Sequence, residues 1–188
     1  MKILGDGLVP QAVTVAEFKA AVPMAEAPEF DTGIAGFLRA ATDTVEAATR
    51  RPLAKRQVEI LPPVTSDGWC RWWFPVAPVV QVTSVAVWTA SAWLVLAGTD
   101  WSVEMAYDEP QLVLSEAVRT VYGAAAIRVW AEVGHAIIDA RLKQAVILSA
   151  HEWHMAGAGM GDASVTVNSF AAHALIRQTR YVRPGIVV

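Results

Sequence analysis

The sequence predicts an α+β fold: a small helical core with an inserted antiparallel β-sheet or sandwich and an extended C-terminal tail. Two amphipathic helical patterns occupy the first 50 residues, and from Lys55 the apolar period changes from about 3.6 to 2. A long helical pattern over 139–156 completes the core. Since only short links separate the predicted strands, we expect antiparallel pairing without crossover helices.

The two N-terminal helices are predicted from their start and stop signals. The first begins at a capping box of sequence TVAE (residues 14–17) and is short. The second begins at Asp31 or Thr32 as N-cap and ends near Arg50, because Pro52 disfavours helical geometry in the residue before it. Its predicted buried stripe comprises Ile34, Phe37, Leu38, Ala41, Val45 and Ala48.

The insert is predicted from alternating apolar and polar residues between turn signals. Residues 79–88 should alternate strictly between two faces, 90–92 should form a hairpin turn, and 108–110 (DEP) should form another turn. The predicted strands cover 57–60, 69–74, 79–88, 93–96, 99–105, 111–114 and 126–133.

Residues 139–156 are expected to form the longest buried helix, with Asp139 as its N-cap and Gly157 as its stop. The other elements should pack on it. Its predicted buried face comprises Leu142, Ala145, Val146, Ser149, Ala150, Trp153 and Ala156.

Charge and composition divide the chain at residue 162. Residues 1–162 hold all 18 acidic and 12 of the 15 basic residues, a net charge of −6, whereas 163–188 hold three arginines and no acid. We therefore predict a single α+β domain over 1–162, with its β-rich insert at about 55–133. Residues 163–188 should form a separate interaction element. It consists of a short helix from Phe170 to about Gln178, followed by an extended arm; the alternative is a solvated, frayed terminus.

The composition indicates a protein that folds without disulfides or a membrane anchor. A hydrophobic content of 54% supports a core of ordinary size, and the single cysteine, Cys70, has no partner within the chain. No apolar run approaches the roughly 20 residues of a membrane-spanning helix, and the N-terminus is unlike a signal peptide. We expect a soluble cytoplasmic product. Several of the eight tryptophans should lie at contacts with other chains.

The closest approach to a catalytic pattern is His151-Glu152-Trp153-His154. Its histidines are three residues apart, whereas the zinc-protease pattern requires four. The pair could still chelate a metal with Glu152 or His135 as a third ligand. The alternative is a helix end whose His and Glu side chains are partly exposed beside a buried tryptophan, and this is the interpretation we prefer.

The remaining features give no further chemistry. Cys70 has no neighbouring His or Cys, so its expected role is packing. No phosphate-binding loop occurs, and the net charge of −6 over residues 1–162 disfavours tight non-specific DNA binding. We therefore predict no catalytic residue, no metal site and no cofactor, and expect a protein that is not an enzyme.

Four stretches, in order and spacing, resemble the head–tail connector or adaptor proteins of tailed bacteriophages and gene transfer agents. Together they extend over most of residues 13–180. They are 13–19 with the helix ending AATDTVEAATRRPL, FPVAPVVQVTSV (74–85), WSV (101–103), and 127–133 followed by 138–153. Departures lie at His135-Ala136, at Ile138-Asp139 and at 153–156 (WHMA), where the family has other residues.

This resemblance implies a non-enzymatic ring, usually of twelve copies, in the particle neck. The ring would assemble in the bacterial cytoplasm, join the portal protein to a stopper or tail-side connector, and continue the DNA channel without specific DNA binding. An acidic channel lining would repel phosphate and let the duplex slide. The isolated chain should be largely monomeric or mixed, with the ring completed on the portal.

In such connectors the C-terminal segment commonly reaches into the portal. The residues expected to bind the portal are Phe170, Leu175, Ile176, Arg177, Arg180, Tyr181, Arg183, Ile186, Val187 and Val188. Two alternatives stay open: a metal-dependent hydrolase that uses His151, Glu152 and His154, and a different tail-completion or stopper component.

Overall fold

The computed structural model describes residues 1–4, 8–22, 28–62, 71–106, 109–122, 125–156 and 170–182. These residues form two compact units. The helical unit lies within residues 9–54 and 135–181, and the β unit lies within 1–8 and 55–134, with residue 182. The expected boundary at residue 162 falls outside the described part of the chain and stays a prediction.

Helices and antiparallel sheets both occur, which confirms the predicted α+β class. The described helices are α1 (Val15–Ala21), α2 (Asp31–Thr49), α3 (Glu116–Tyr122), α4 (Ala140–Met155) and α5 (Phe170–Thr179), with a 3₁₀ turn at Pro28–Phe30. The described strands are β1 (Lys2–Ile3), β2 (Arg56–Ile60), β3 (Arg71–Trp73), β4 (Val79–Trp88), β5 (Trp93–Val95), β6 (Trp101–Ala106), β7 (Glu109–Leu114) and β8 (Ile127–Val133). Sequence patterns missed β1 and α3, which are two and seven residues long.

The β unit is a small sandwich of two antiparallel sheets. One sheet has the order β1-β2-β8-β4-β5 and the other the order β3-β7-β6. Their apolar side chains join in one core, in which Val58 and Val129 of the first sheet cluster with Trp72 and Leu112 of the second. The alternating burial of β2 and β8 follows from this arrangement, since only one face of each strand reaches the core.

Strict alternation along β4 is a wrong prediction. Its pairing with β8 shifts register between Val79 and Gln81 and again between Val82 and Ser84. Each shift changes the face on which the following side chains lie, because successive strand residues point to opposite sides. The residues of β4 that reach the shared core are consequently Val79, Val82, Val85 and Val87, at spacings of three, three and two instead of a constant two.

The two predicted turns have different outcomes. Residues 90–92 do connect β4 to β5, with Ala90 in the left-handed region (φ 69°) and the Thr89 N–H donating to the Ala92 carbonyl at 2.9 Å. The turn at 108–110 is wrong for Glu109 and Pro110, which pair with β6 in β7; Asp108 lies outside the described residues. Proline is tolerated near a strand start, and the Pro110 carbonyl accepts the Phe74 N–H at 3.0 Å.

Two of the three predicted helix caps in the helical unit are confirmed. The Glu17 N–H donates to the Thr14 hydroxyl at 3.1 Å while the Thr14 N–H donates to the Glu17 carboxylate at 2.8 Å. Asp139 accepts the Arg141 N–H at 2.8 Å and caps α4. The cap of α2 is not Asp31 or Thr32: Phe30 precedes the helix without a side-chain bond, and Asp31 is its first residue.

Helix α4 packs against both α2 and α5, as expected of a central helix. The expectation that it is the longest helix is wrong, since α4 has 16 residues and α2 has 19. Five residues of its predicted face are buried: Leu142, Ala145, Val146, Ser149 and Ala150. Trp153 is half-buried and Ala156 is exposed, because α4 ends there. None of the described helices is long and apolar enough to cross a membrane.

An ion pair between Glu17 and Lys143 makes the helical unit sensitive to acid. The Lys143 ammonium donates to the Glu17 carboxylate at 2.7 Å and, with the Thr14 bonds, lowers the pKa of Glu17 from 4.5 to about 2. A carboxyl whose pKa is lower in the folded state contributes stability above its unfolded pKa and loses it as pH falls. The stabilisation is therefore complete above pH 4.5 and disappears toward pH 2.

We expect Glu17→Gln to remove this pH dependence while keeping the capping box, which an amide also completes. Because the Glu17 side chain is 44% exposed, water screens the pair and limits the effect to below about 1 kcal/mol. Urea unfolding at several pH values between 4.5 and 2 measures it. Glu116→Gln, in the first turn of α3, is the control; equal pH slopes for all three proteins would contradict this assignment.

Gly36 lies on the exposed side of α2, and a Cβ placed there meets nothing within 4 Å. Gly36→Ala should raise the free energy of unfolding by roughly 0.5–1 kcal/mol, since alanine loses less backbone entropy in a helix. Thermal unfolding measures the change. The reverse substitution at an exposed alanine of the same helix, Ala47→Gly, should destabilise by a similar amount, and a loss of stability in Gly36→Ala would refute the argument.

Candidate partner-binding segment

Helix α5 is amphipathic, and one of its faces belongs to the core of the helical unit. Ala172 is 0% exposed, Ile176 and Thr179 are each 7% exposed, and Tyr181, just beyond the helix, is 4% exposed. Ile176 lies in the same apolar cluster as Leu38 of α2. The base of the predicted C-terminal element is therefore an integral part of this unit.

The C-terminal ends of α2 and α5 cap each other. Thr49 and Thr179 are the last residues of these helices, so no N–H group of the same helix donates to their carbonyls. The Tyr181 N–H donates to the Thr49 carbonyl at 2.8 Å, and the Arg51 Nε donates to the Thr179 carbonyl at 2.6 Å. Each helix thus supplies the donor that the other lacks, which fixes where the chain leaves α5.

His135 lies near this pair of helix ends. Its N–H donates to the Leu53 carbonyl at 3.1 Å. Burial lowers the pKa of His135, the nearby positive charge of Arg51 lowers it further, and Asp139 partly opposes both effects. Burial and the charge of Arg51 therefore both disfavour protonation of the His135 imidazole.

The other face of α5 is exposed. Phe170 is 91% exposed, an unusual environment for a large aromatic side chain. Arg177 and Arg180 are exposed as well, and no acidic residue follows residue 162. This face combines apolar and cationic groups, which suits a partner surface carrying carboxylates beside apolar pockets.

The ten predicted portal-binding residues fall into four groups. Phe170, Arg177 and Arg180 are exposed, and Leu175 is half-buried. Ile176 and Tyr181 are buried in the helical unit, so their side chains have an internal packing role. Residues outside the described part of the chain are Arg183, Ile186, Val187 and Val188. Portal binding by these residues stays a prediction.

The histidine pair on α4 shows packing contacts. The His154 ring lies edge-on to Phe30 and Phe37, with ring centres 6.3 and 6.2 Å away. His151 and Glu152 are half-buried at the same helix end. Within the described ranges, no three His, Cys, Asp or Glu side chains are grouped so that they could hold a metal ion. Cys70 lies outside those ranges, and so does Trp69.

Sequence reasoning missed Thr49 and Arg51, which hold α5 in place. A threonine in the last turn of a helix and an arginine before Pro52 are common, and neither indicates a partner 128 residues away. The expected role of tryptophans in contacts with other chains also stays a prediction. Among the described tryptophans, Trp72 is buried, Trp88 is 39% exposed, and the others are half-buried.

The fold matches that of chains in gene transfer agent (GTA) particles. A chain in the neck of an empty GTA particle, computed with C6 symmetry, has a TM-score of 0.74 and 23% identity. A chain in the virion of a native GTA particle has 0.76 and 22%, and one in the neck of a native particle, computed with C12 symmetry, has 0.71 and 22%. Each match covers 99% of this chain and 98% of the other.

These likenesses confirm the fold that the sequence resemblance implied. No protein-family model and no curated protein sequence matches this chain.

We expect Arg51→Ala to weaken the attachment of α5 to α2. The substitution removes a charged donor from the Thr179 carbonyl, and such bonds contribute about 1.5–3 kcal/mol to the free energy of unfolding. Chemical denaturation measures the loss, and hydrogen exchange at the Tyr181 amide reports local opening of the segment. Arg39→Ala, at an exposed position of α2, should change stability by less than about 0.5 kcal/mol. Indistinguishable values for the two variants would contradict reciprocal capping.

Proposed function

We propose that this chain is a structural, non-enzymatic component of the neck of a phage-like particle. More closely, we propose a head–tail adaptor whose copies form a ring on the portal protein. The observation that carries the proposal is the fold match to a GTA neck chain, which covers 99% of this chain and 98% of that chain. Because the match covers nearly all of both chains, the likeness is not confined to one domain that the two proteins share.

The exposed face of α5 and the residues after it are the proposed contact with the portal. The reciprocal caps fix the segment as far as Tyr181, so this part of the proposed contact is already in place before the portal binds. This limits the entropy that association costs. The final residues, RPGIVV (183–188), supply β-branched side chains that suit strand addition to a partner's sheet edge.

Charge would direct this contact. Arg177 and Arg180 are exposed, and Arg183 follows them in the sequence. Opposite charges across an interface speed association and fix its register, so we expect carboxylates on the portal surface. The remainder of the chain, with its net charge of −6 over residues 1–162, would repel DNA phosphates where it lines the channel. The duplex would then pass without being bound.

The tail-side partner in this proposal is a stopper or connector protein. A tail-completion or stopper role for the chain itself is the competing assignment, and portal binding distinguishes the two. The hydrolase alternative receives no support from the described contacts, in which His154 packs between aromatic rings.

The structure sets where a truncation can be made. Removal of everything after Gly161 would delete Ala172, Ile176 and Tyr181 from the core and would unfold the helical unit. Termination after Val182 removes only RPGIVV and leaves α5 and both reciprocal caps intact. We expect the protein ending at Val182 to unfold like the full chain but to bind the portal of its own particle at least about tenfold more weakly.

Charge reversal of the α5 face gives a second test with the full-length chain. Arg177→Glu combined with Arg180→Glu should weaken portal binding about tenfold and reduce its salt dependence, since two attractive contacts become repulsive. Arg39→Glu combined with Arg119→Glu makes the same charge change at exposed positions of α2 and α3 and should leave binding unchanged. If none of these proteins binds the portal, wild type included, the adaptor assignment is refuted. Equal binding by all would instead place the interface elsewhere on the chain.

A further inference from the structure

Strand β5 is an outer strand of the five-stranded sheet, paired with β4 on one side. Its sequence, Trp93-Leu94-Val95, contains no proline and no charge, and its pairing shows no bulge. Leu94 is 45% exposed and Val95 is 62% exposed. Proline, charged side chains and bulges are the features that normally protect an outer strand, because its backbone N–H and C=O groups otherwise pair with another strand. Strand β5 has none of the three. The β5 edge therefore has the character of an interface.

A row of side chains across the outer face of the sheet stiffens this edge. The Arg128 guanidinium of β8 lies 4.1 Å from the ring centre of Trp93 and 5.6 Å from that of Trp130. Glu59 of β2 holds the Nε of Arg128 at 3.3 Å. Trp88 and Trp93 also contact each other, with ring centres 5.4 Å apart. Three strands besides β5 thus support it, which reduces the entropy lost when a partner binds.

The same sheet ends on its opposite side in β1, Lys2–Ile3, which pairs with β2. Among the strands that the structure describes, this sheet therefore has two unlike outer strands, one at each side. A closed ring of identical copies has head-to-tail contacts, each of which joins two different surfaces of the chain. Two unlike outer strands on one sheet satisfy this condition, since the outer strand of one copy can form backbone hydrogen bonds with the other outer strand of the next copy.

We propose that the β5 edge of one copy binds the β1 edge of the next copy, so that the five-stranded sheets continue from subunit to subunit around the ring. This inference rests on the proposed function, which supplies the ring. The occupant of the edge is a second copy of this chain, which adds its strand by main-chain hydrogen bonds while Leu94 and Val95 become buried.

Val95→Lys tests the contact with a charge of the kind that blocks strand pairing. We expect this variant to bind the portal as separate copies, whereas wild type forms a closed ring in electron micrographs. Val121→Lys is the matched control: Val121 is 68% exposed, close to the 62% of Val95, and lies on α3 of the same unit. It should form rings like wild type. Ring formation by Val95→Lys at the wild-type level would overturn the inference and leave the adaptor assignment standing.

Disulfide trapping tests the pair of edges directly, and it does so without the portal as well as with it. In a Cys70→Ser background, Lys2→Cys combined with either Leu94→Cys or Val95→Cys should give a ladder of covalent oligomers on oxidation. Lys2→Cys combined with Val121→Cys should give none. If wild type fails to bind the portal but the ladder forms at high protein concentration, the edge contact holds and the adaptor assignment fails. If neither Lys2→Cys with Leu94→Cys nor Lys2→Cys with Val95→Cys gives a ladder, the proposed contact is overturned.

Discussion

The exchange of hydrogen bonds between the ends of α2 and α5 is the constraint on which the proposed contact segment depends. A helix ends with carbonyls that it cannot satisfy, and here each helix end receives a donor from the segment that follows the other. Arg51 donates to the carbonyl of Thr179, and the Tyr181 N–H donates to that of Thr49. The exposed face of α5 is consequently a fixed surface of the helical unit, with Arg177 and Arg180 at set positions. A partner can recognise such a surface without first ordering it.

The β unit is organised by a different requirement. Its two sheets bury their inner faces against each other, and the register shifts of β4 adjust that strand to the shared core. The outer face of the larger sheet carries the row from Glu59 through Arg128 to Trp93, which leads to β5. A sandwich leaves its outer strands unpaired unless something covers them. In a ring of identical copies, the neighbouring subunit is the component available at every position to do so.

Local sequence signals were reliable where the physics is local. The capping box at Thr14 and the Asp139 cap depend on residues two or three positions apart, and both are present. Signals failed where a distant group decided the outcome. Asp31 is not the cap of α2: a 3₁₀ turn leads directly into the helix, Asp31 is the first helical residue, and its side chain pairs with Lys19 of α1. Ile176 and Tyr181 were predicted to contact a partner, but α5 packs on α4 and α2 and both side chains are buried in the helical unit.

The sequence by itself determined the α+β class, most helix and strand positions, the short basic segment and the connector-like order of motifs. These properties follow from the periodicity of neighbouring residues and from composition. The tertiary structure decided which face of α5 stays exposed, which residues hold it, and which strands lie at the sheet edges. No pattern near Arg51 indicates that its bond goes to Thr179, 128 residues away. Such contacts arise only when packing brings distant segments together, because a hydrogen-bond donor specifies its acceptor by geometry and not by sequence.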